Sequence, residues 1–348
     1  MLGGMTCTTR TIEFKAGQNT SPLVLVSDGF LPHAITERVR GVSPRIEIVN
    51  EMSPDTLAKA DVIYTNQAPF DPADAPKLRW VQLNTAAIGL VVDRPIAHSG
   101  IPVTNVRGAY SVDVAEFTIG MLLMLTRRLN TCHRLQIGRT WPEDYDPLQG
   151  ESCYGKTIGI IGYGSIGRHI ARIAKAMGLS VLAYKQNTEN RRDTAPCLPN
   201  TGDPEGVLPD AWFGSGQLTQ MLERSDIVVC LLPITQETRG LIRADALGAI
   251  PDGGYVLSVG RGGVIDEDAL ASRLKSGGLA GAALDVFANE PLNSDSPLWG
   301  LPNVVMAPHI ASYTSSQSRR AIDVLIDNIE RDLSGRELVN IVDFERGY

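Results

Sequence analysis

Between residues 22 and 110, short apolar runs alternate with stretches of helical character. Leu23–Val26, Ile46–Val49, Val62–Tyr64, Trp80–Leu83 and Pro102–Val106 read as strands. Strands alternating with helices predict a parallel sheet covered on both faces. Asp113 and Glu116 then stand at D-x-x-E spacing before an apolar helix reaching about Leu129. Acids suit the start of a helix, and Arg127 and Arg128 suit its last turn. This helix is expected to cross into a second unit, from about Gly155 to Ala307. There, after a strand that ends at Gly162, come Leu179–Tyr184, Asp226–Leu232, Gly254–Val259, Gly281–Asp285 and Asn303–Met306, six predicted strands in all. Residues 187–216 hold no periodicity and read as a long surface insertion. A last helix, Gln317–Leu333, is expected to pack back on the first domain. The resulting division is residues 1–126 with 312–348, and residues 127–311.

A chain of 348 residues exceeds one ordinary core and suits two domains. Its 43% apolar and 20% charged composition is that of a globular protein, and the net charge of -7 argues against nucleic acid as a partner. No apolar run suits a bilayer span: Phe117–Leu125 is interrupted by Thr118 and Gly120 and ends in Thr126-Arg127-Arg128. The N-terminus lacks a signal-peptide core, and the Thr-rich residues 1–20, with Arg10 and Lys15, read as an unstructured start rather than a transit peptide. Cys7, Cys132, Cys153, Cys197 and Cys230 form no C-x-x-C pair. Neither a metal site nor a disulfide framework is expected, which fits the reducing cytoplasm.

Candidate chemistry begins at Gly162-Tyr-Gly164-Ser165-Ile166-Gly167, which follows a strand, opens a helix (Arg168 to Met177) and precedes another strand. In that context G-x-G-x-x-G is a dinucleotide fingerprint, its glycines letting backbone approach a pyrophosphate at the positive end of a helix. The acid that grips the ribose should end the second strand, and Lys185 stands there, with Arg191 and Arg192 nearby. A cation accommodates a 2′-phosphate, so NADP(H) is favoured over NAD(H). The alternative is a solvent-facing Lys185. The insertion either helps hold the adenosine end or is passive.

Arg261 follows the end of a strand, where α/β sheets gather ligand-binding groups, and guanidinium is the natural fork for a carboxylate. Asp266, Glu267 and Asp268 sit at a helix start, a placement that needs no catalytic role. Glu290, in Asn-Glu-Pro-Leu, and His309, in Ala-Pro-His-Ile-Ala, complete the set. A His poised by a carboxylate is a suitable proton donor for carbonyl reduction. His33, His98, His133 and His169 read as surface or local contacts.

These segments, with Ser225-Asp-Ile-Val-Val, Leu232-Pro233…Thr238, Gly260-Arg-Gly-Gly-Val-Ile-Asp-Glu-Asp-Ala-Leu and Ala283-Leu-Asp-Val-Phe-Ala-Asn-Glu-Pro-Leu in order, resemble the D-isomer-specific 2-hydroxyacid dehydrogenase family. The resemblance implies an α/β fold of two doubly wound parallel-sheet domains, Rossmann-like and flavodoxin-like, with the active site in the cleft between them. It implies a hydride transfer between a nicotinamide cofactor and a small 2-oxo/2-hydroxy acid, of glyoxylate or hydroxypyruvate type. Arg261 would bind the substrate, His309 would protonate the carbonyl oxygen, and Glu290 would pair with His309. Asp285 would contact the nicotinamide amide, and Leu232, Pro233, Thr238, Val259 and Gly260 would line the cofactor. Thr85, Ala86, Ala87 and Ile88 match the substrate-carboxylate loop, although the family's Ala-Gly pair and its acid are replaced by Ala86-Ala87-Ile88-Gly89. Ser258 stands where an Asn commonly precedes the Arg. A homodimer is also implied, with the helix around residues 115–129 as part of its interface. The alternative is a nucleotide-sensing corepressor of the same fold. Formate dehydrogenase is disfavoured by Glu290.

Overall fold

Two fully parallel sheets organise the computed structural model, which describes residues 22–29, 31, 33–193 and 195–347. The reading of residues 1–20 as an unstructured start, and Cys7 with it, lies outside the described residues. The chain divides into two compact units.

The first unit comprises residues up to Asn84, Gly89–Asn105 and Ile322–Val342. Its strands are β1 (Leu23–Ser27), β2 (Ile46–Val49), β3 (Val62–Thr65), β4 (Trp80–Leu83) and β5 (Val103–Thr104). Their order, β2-β1-β3-β4-β5, is the flavodoxin-like winding. β3 and β4 are buried at every position, as strands covered on both faces must be. Leu23, Leu25, Val62 and Trp80 share a core with Ile322, Leu325 and Ile329 of the C-terminal helix Gln317–Leu333. Inside that core the Gln82 amide oxygen accepts hydrogen bonds from Asn328 Nδ2 (3.0 Å) and Thr104 Oγ1 (2.9 Å). A buried amide must be satisfied in this way, so the pairing pins the helix to β4.

The second unit comprises Thr85–Ile88, Val106–Ala321 and the final residues from Asp343. It begins with α3 (Ser111–Thr126), numbered after α1 (His33–Arg40) and α2 (Pro54–Leu57) of the first unit. Its sheet contains β6 (Thr157–Ile161), β7 (Ser180–Tyr184), β8 (Ala211–Phe213), β9 (Ile227–Cys230), β10 (Gly254–Ser258), β11 (Leu279–Leu284) and β12 (Val304–Met306). The order β12-β11-β10-β9-β6-β7-β8 has the Rossmann form, with the chain reversing direction beside β6. The sheet has one strand more than the six expected. β8 is three residues long and lies within the stretch expected to be an insertion. It pairs with β7 through Leu182, Ala183 and Tyr184.

The expected helix from Asp113 to Leu129 is two helices. α3 stops at Thr126, Arg128 adopts a left-handed backbone (φ 55°), and α4 (Leu129–Ile137) follows. Gly150 crosses the end of α3 so closely that a Cβ there would lie 2.6 Å from the Thr126 carbonyl oxygen. The Glu151 N–H caps that same oxygen at 2.7 Å. α3 lays Ala115, Ile119, Leu122 and Leu125 into the core of the second unit, at the spacing of one helical face. Each fully buried aliphatic of that stripe contributes about 1.5–3 kcal/mol. Packing therefore groups α3 with the seven-stranded sheet, unlike the division at residue 126. Asp113 is buried and bonds to Thr314 and Arg320, beyond its place in the first helical turn. Among the described residues no helix is long and apolar enough to cross a membrane.

Candidate active site

β6 ends in a turn that only glycine fits. Gly162 has φ +99°, Gly164 caps α5 (Ser165–Ala176), and a Cβ on Gly167 would lie 2.9 Å from the Gly162 carbonyl oxygen. The first amides of α5 have no partner within the helix, and its dipole favours an anion there. A carboxylate, that of Asp193, already lies against Ser165. The donor set thus fits a dinucleotide pyrophosphate, with Gly162, Gly164, Ser165, Ile166 and Gly167 as the residues to hold it.

The ends of β9 and β10 close on the same turn. A Cβ on Gly260 would lie 2.6 Å from the Leu231 carbonyl carbon and 2.7 Å from the Leu232 oxygen. A Cβ on Gly162 would in turn lie 3.2 Å from Leu232 Cδ2, so Leu232 borders the turn and Gly260 borders Leu232; Pro233 and Val259 are their neighbours in sequence. Thr238 serves its own loop, donating to the Pro233 carbonyl (2.6 Å) and accepting from the Thr235 N–H (2.8 Å).

Lys185 follows β7 and is half-buried, its Nζ donating to the carbonyl of the exposed Asn190 at 2.7 Å. Burial, then the Arg168 guanidinium, pull its pKa down. Arg191 stacks over Trp212, and Arg192 pairs with Glu205. Residues 187–193 and 195–208 are held by buried polar contacts as well. Tyr163 donates its hydroxyl to Asp203 Oδ2 (2.8 Å), and the Arg168 guanidinium, 2% exposed, reaches the carbonyls of Asp203 and Arg191. None of this has a sequence period to reveal it.

The candidate reaction centre is also within the second unit. His309 Nδ1 and Glu290 Oε2 are 2.7 Å apart. The Glu290 Oε1 atom accepts from the Phe287 N–H at 3.0 Å. Partial burial pulls the Glu290 pKa upward, but the hydrogen bonds from His309 and Phe287 and the His309 and Arg261 charges outweigh it, leaving the net shift downward. The carboxylate form is thus held next to the imidazole. His309 has φ 56°, a left-handed conformation that costs a non-glycine residue about 1–2 kcal/mol. Asp285 holds it there: its carboxylate accepts the N–H groups of Ile310 (2.8 Å) and Ala311 (2.9 Å), while its carbonyl accepts the His309 N–H (2.9 Å). Burial raises the Asp285 pKa against those two bonds. Asp285, the residue expected to contact the nicotinamide amide, thus has each carboxylate oxygen accepting one backbone N–H.

Arg261 sits just past β10, its Nη1 donating to the Gly260 carbonyl at 2.7 Å. Burial lowers its pKa and the Glu290 charge opposes this; a guanidinium stays protonated regardless. The acids at the start of α8 (Glu267–Lys275) divide in role. Asp266 caps the helix by accepting the Ala269 N–H. Glu267 instead reaches across to the Ala288 N–H at 2.5 Å, pinning the turn that carries Glu290. Sequence reasoning set Glu267 aside as a helix-start acid, and only its partner's position separates it from Asp268.

The loop expected to receive a carboxylate, Thr85–Ile88, packs with the second unit. The Val106 N–H donates to the Thr85 carbonyl (3.3 Å), Thr85 Oγ1 donates to the Ala87 carbonyl (2.8 Å), Ala86 is exposed and Ile88 is buried.

The family model for the NAD binding domain of D-isomer specific 2-hydroxyacid dehydrogenases matches residues 119–311. A glyoxylate reductase of Thermofilum pendens is 37% identical over 265 residues, 75% of this chain and 74% of its own length. A hydroxypyruvate reductase of Blautia hydrogenotrophica is 29% identical over 297 residues, 82% of this chain and 86% of its own. In structure, the chain is similar to an NADPH-dependent glyoxylate/hydroxypyruvate reductase of Sinorhizobium meliloti solved with NADP and sulfate. The TM-score is 0.72 at 27% identity, covering 94% of this chain and 100% of that one.

Proposed function

The chain belongs to the D-isomer-specific 2-hydroxyacid dehydrogenase family, and we propose that it reduces a small 2-oxo acid of glyoxylate or hydroxypyruvate type with NADPH as preferred donor. It is an oxidoreductase that moves a hydride between a nicotinamide cofactor and a 2-oxo/2-hydroxy acid. The observation that carries the assignment of roles is the His309–Glu290 pair at 2.7 Å, in the same unit as Arg261 and the glycine turn.

When bound, the nicotinamide supplies the hydride. Arg261 receives the substrate carboxylate and polarises its carbonyl, as a fork of charged donors does. Glu290, held as a carboxylate, accepts the hydrogen bond from the Nδ1–H of His309. That fixes the ring and leaves Nε2 to give a proton to the carbonyl oxygen. The Thr85–Ile88 loop offers backbone N–H groups to the substrate carboxylate. The assembled pair supports chemistry over a nucleotide sensor without turnover.

NADPH is favoured because a cation, Lys185, follows β7 where a ribose-binding carboxylate would select NADH. The structures from Sinorhizobium meliloti and, with NADPH and MES, from Xanthobacter autotrophicus contain the phosphorylated cofactor. Nicotinamide oxidation, followed separately with NADPH and NADH on glyoxylate, hydroxypyruvate, pyruvate and phenylpyruvate, tests both claims. The expected result is turnover with glyoxylate or hydroxypyruvate and a higher kcat/KM for NADPH. Preference for NADH would remove Lys185 from cofactor selection, and turnover confined to the larger acids would remove the proposed substrate class.

The chain acts as a homodimer in the cytoplasm in this reading. α3 is committed to its own core, so the interface falls instead on α4 and the loop after it. Trp141, 85% exposed, donates from Nε1 to the Tyr145 hydroxyl (3.1 Å), itself on a 59% exposed residue, and Ile137 just before them is 69% exposed; clustered apolar exposure of this kind marks interaction surfaces. Trp141→Arg is expected to turn a dimer into a monomer by sedimentation velocity. A wild-type monomer at micromolar concentration would dispose of the dimer, and a dimeric variant would move the interface elsewhere.

A further inference from the structure

The stretch between β7 and β8 delivers an acid to the start of α5, where the glycine turn suits an anion. Ser165 Oγ donates to Asp193 Oδ2 at 2.9 Å, and Arg168 Nε lies 3.6 Å from the same oxygen. Arg107 Nη2 lies 3.3 Å from Oδ1. Ser165 is the first residue of α5, a helix of 12 residues whose start follows the glycine turn. A carboxylate one hydrogen bond from that residue shares the end of the helix at which such turns receive a pyrophosphate.

This placement is built in rather than incidental. The Asp193 side chain is 12% exposed. Its N–H donates to the Pro204 carbonyl (2.9 Å), and the nearby Arg191 carbonyl accepts from Arg168 Nη2 (2.6 Å). Two glycines let the stretch lie so close. A Cβ on Gly206 would come within 2.4 Å of the Arg191 carbonyl oxygen, and one on Gly108 within 2.4 Å of the Pro196 carbonyl oxygen. Both have positive φ, +71° and +94°.

We propose that Asp193 is an internal rival of the cofactor's pyrophosphate, a residue that sets nucleotide affinity by holding Ser165 and the start of α5 until the nucleotide displaces it. The proposal rests on the reading that the glycine turn binds a dinucleotide. A pyrophosphate and a carboxylate repel at this range, and two guanidinium groups that neutralise one acid are drawn to the more highly charged anion. Binding therefore separates Asp193 from Ser165, and the work of separation lowers the apparent affinity in proportion to the fraction of molecules in which the seat is free. The pyrophosphate is common to NADH and NADPH, so the effect is the same for both. A residue that reads the 2′-phosphate would change only NADPH.

Calorimetric titration of Asp193→Asn with NADPH and NADH tests this, because the amide keeps the shape and removes the charge. Both dissociation constants are expected to fall, by about tenfold each. Hydrogen exchange of the wild-type protein supplies the second readout: NADP is expected to speed exchange around Asp193 while slowing it at the start of α5. Unchanged or weaker affinity in a variant with wild-type circular dichroism overturns the proposal. If the variant does not fold, unchanged or slower exchange around Asp193 in the wild-type protein overturns it. Wild-type protein that binds neither nucleotide refutes the dinucleotide reading itself, and the proposal with it.

Discussion

Replacing His309 by alanine is expected to lower kcat by about 10²–10⁴-fold, the usual contribution of a positioned acid or base, while nucleotide affinity stays at the wild-type value. The imidazole is tied to Glu290 through Nδ1 alone. Its other nitrogen is therefore the one available for a substrate oxygen. The side chain is 42% exposed, so its removal leaves no large core cavity. The local backbone does not depend on the ring either, because Asp285 holds the left-handed turn through the N–H groups of residues 309, 310 and 311. Loss of turnover with intact binding thus isolates the proton transfer. Steady-state kinetics and a nucleotide titration on one preparation make the test. A kcat within threefold of wild type would take His309 out of the proton path.

Arg261→Ala is expected to cut kcat/KM by about 10²–10⁴-fold. A charge-assisted hydrogen bond contributes about 1.5–3 kcal/mol, and the guanidinium fork offers two to one carboxylate. The sum, about 3–6 kcal/mol, converts to that range. Rigidity supports the larger figure. Arg261 is half-buried, bonded to the Gly260 carbonyl, and lies between two glycines whose neighbours leave no room for a side chain. Arg261→Lys keeps the charge and loses the fork, so it should recover only part of the activity. Nucleotide affinity, measured beside the kinetics, should hold in both variants. An unchanged kcat/KM in the alanine variant would place the substrate elsewhere.

The places of both residues just past a strand were legible before the fold was known, because the apolar runs of β10 and β12 are plain in the sequence. All six strands expected in the second unit are present, because their apolar runs are plain in the sequence. The strand left out, β8, is three residues long and follows some two dozen residues without alternation. The break between α3 and α4 was hidden for a different reason. Arg127 and Arg128 are good helix formers, and the close passage of Gly150 ends the helix there.

Local pattern alone thus determined the strand, glycine turn and helix of the nucleotide motif, the parallel α/β class, the C-terminal helix Gln317–Leu333, and the residue types at the candidate centre. These follow from side-chain period and from the steric demands of tight turns, which neighbours in the chain decide among themselves. Tertiary structure alone decided which acids do what. Asp193 meets Ser165 across 28 residues, Glu267 meets Ala288 across 21, and Asp285 meets Ile310 across 25. A carboxylate has the same composition and charge whether it caps a helix, pins a turn or occupies an anion seat. The difference is the partner that distant segments bring within about 3 Å of it, and hydrogen bonds act only at that range.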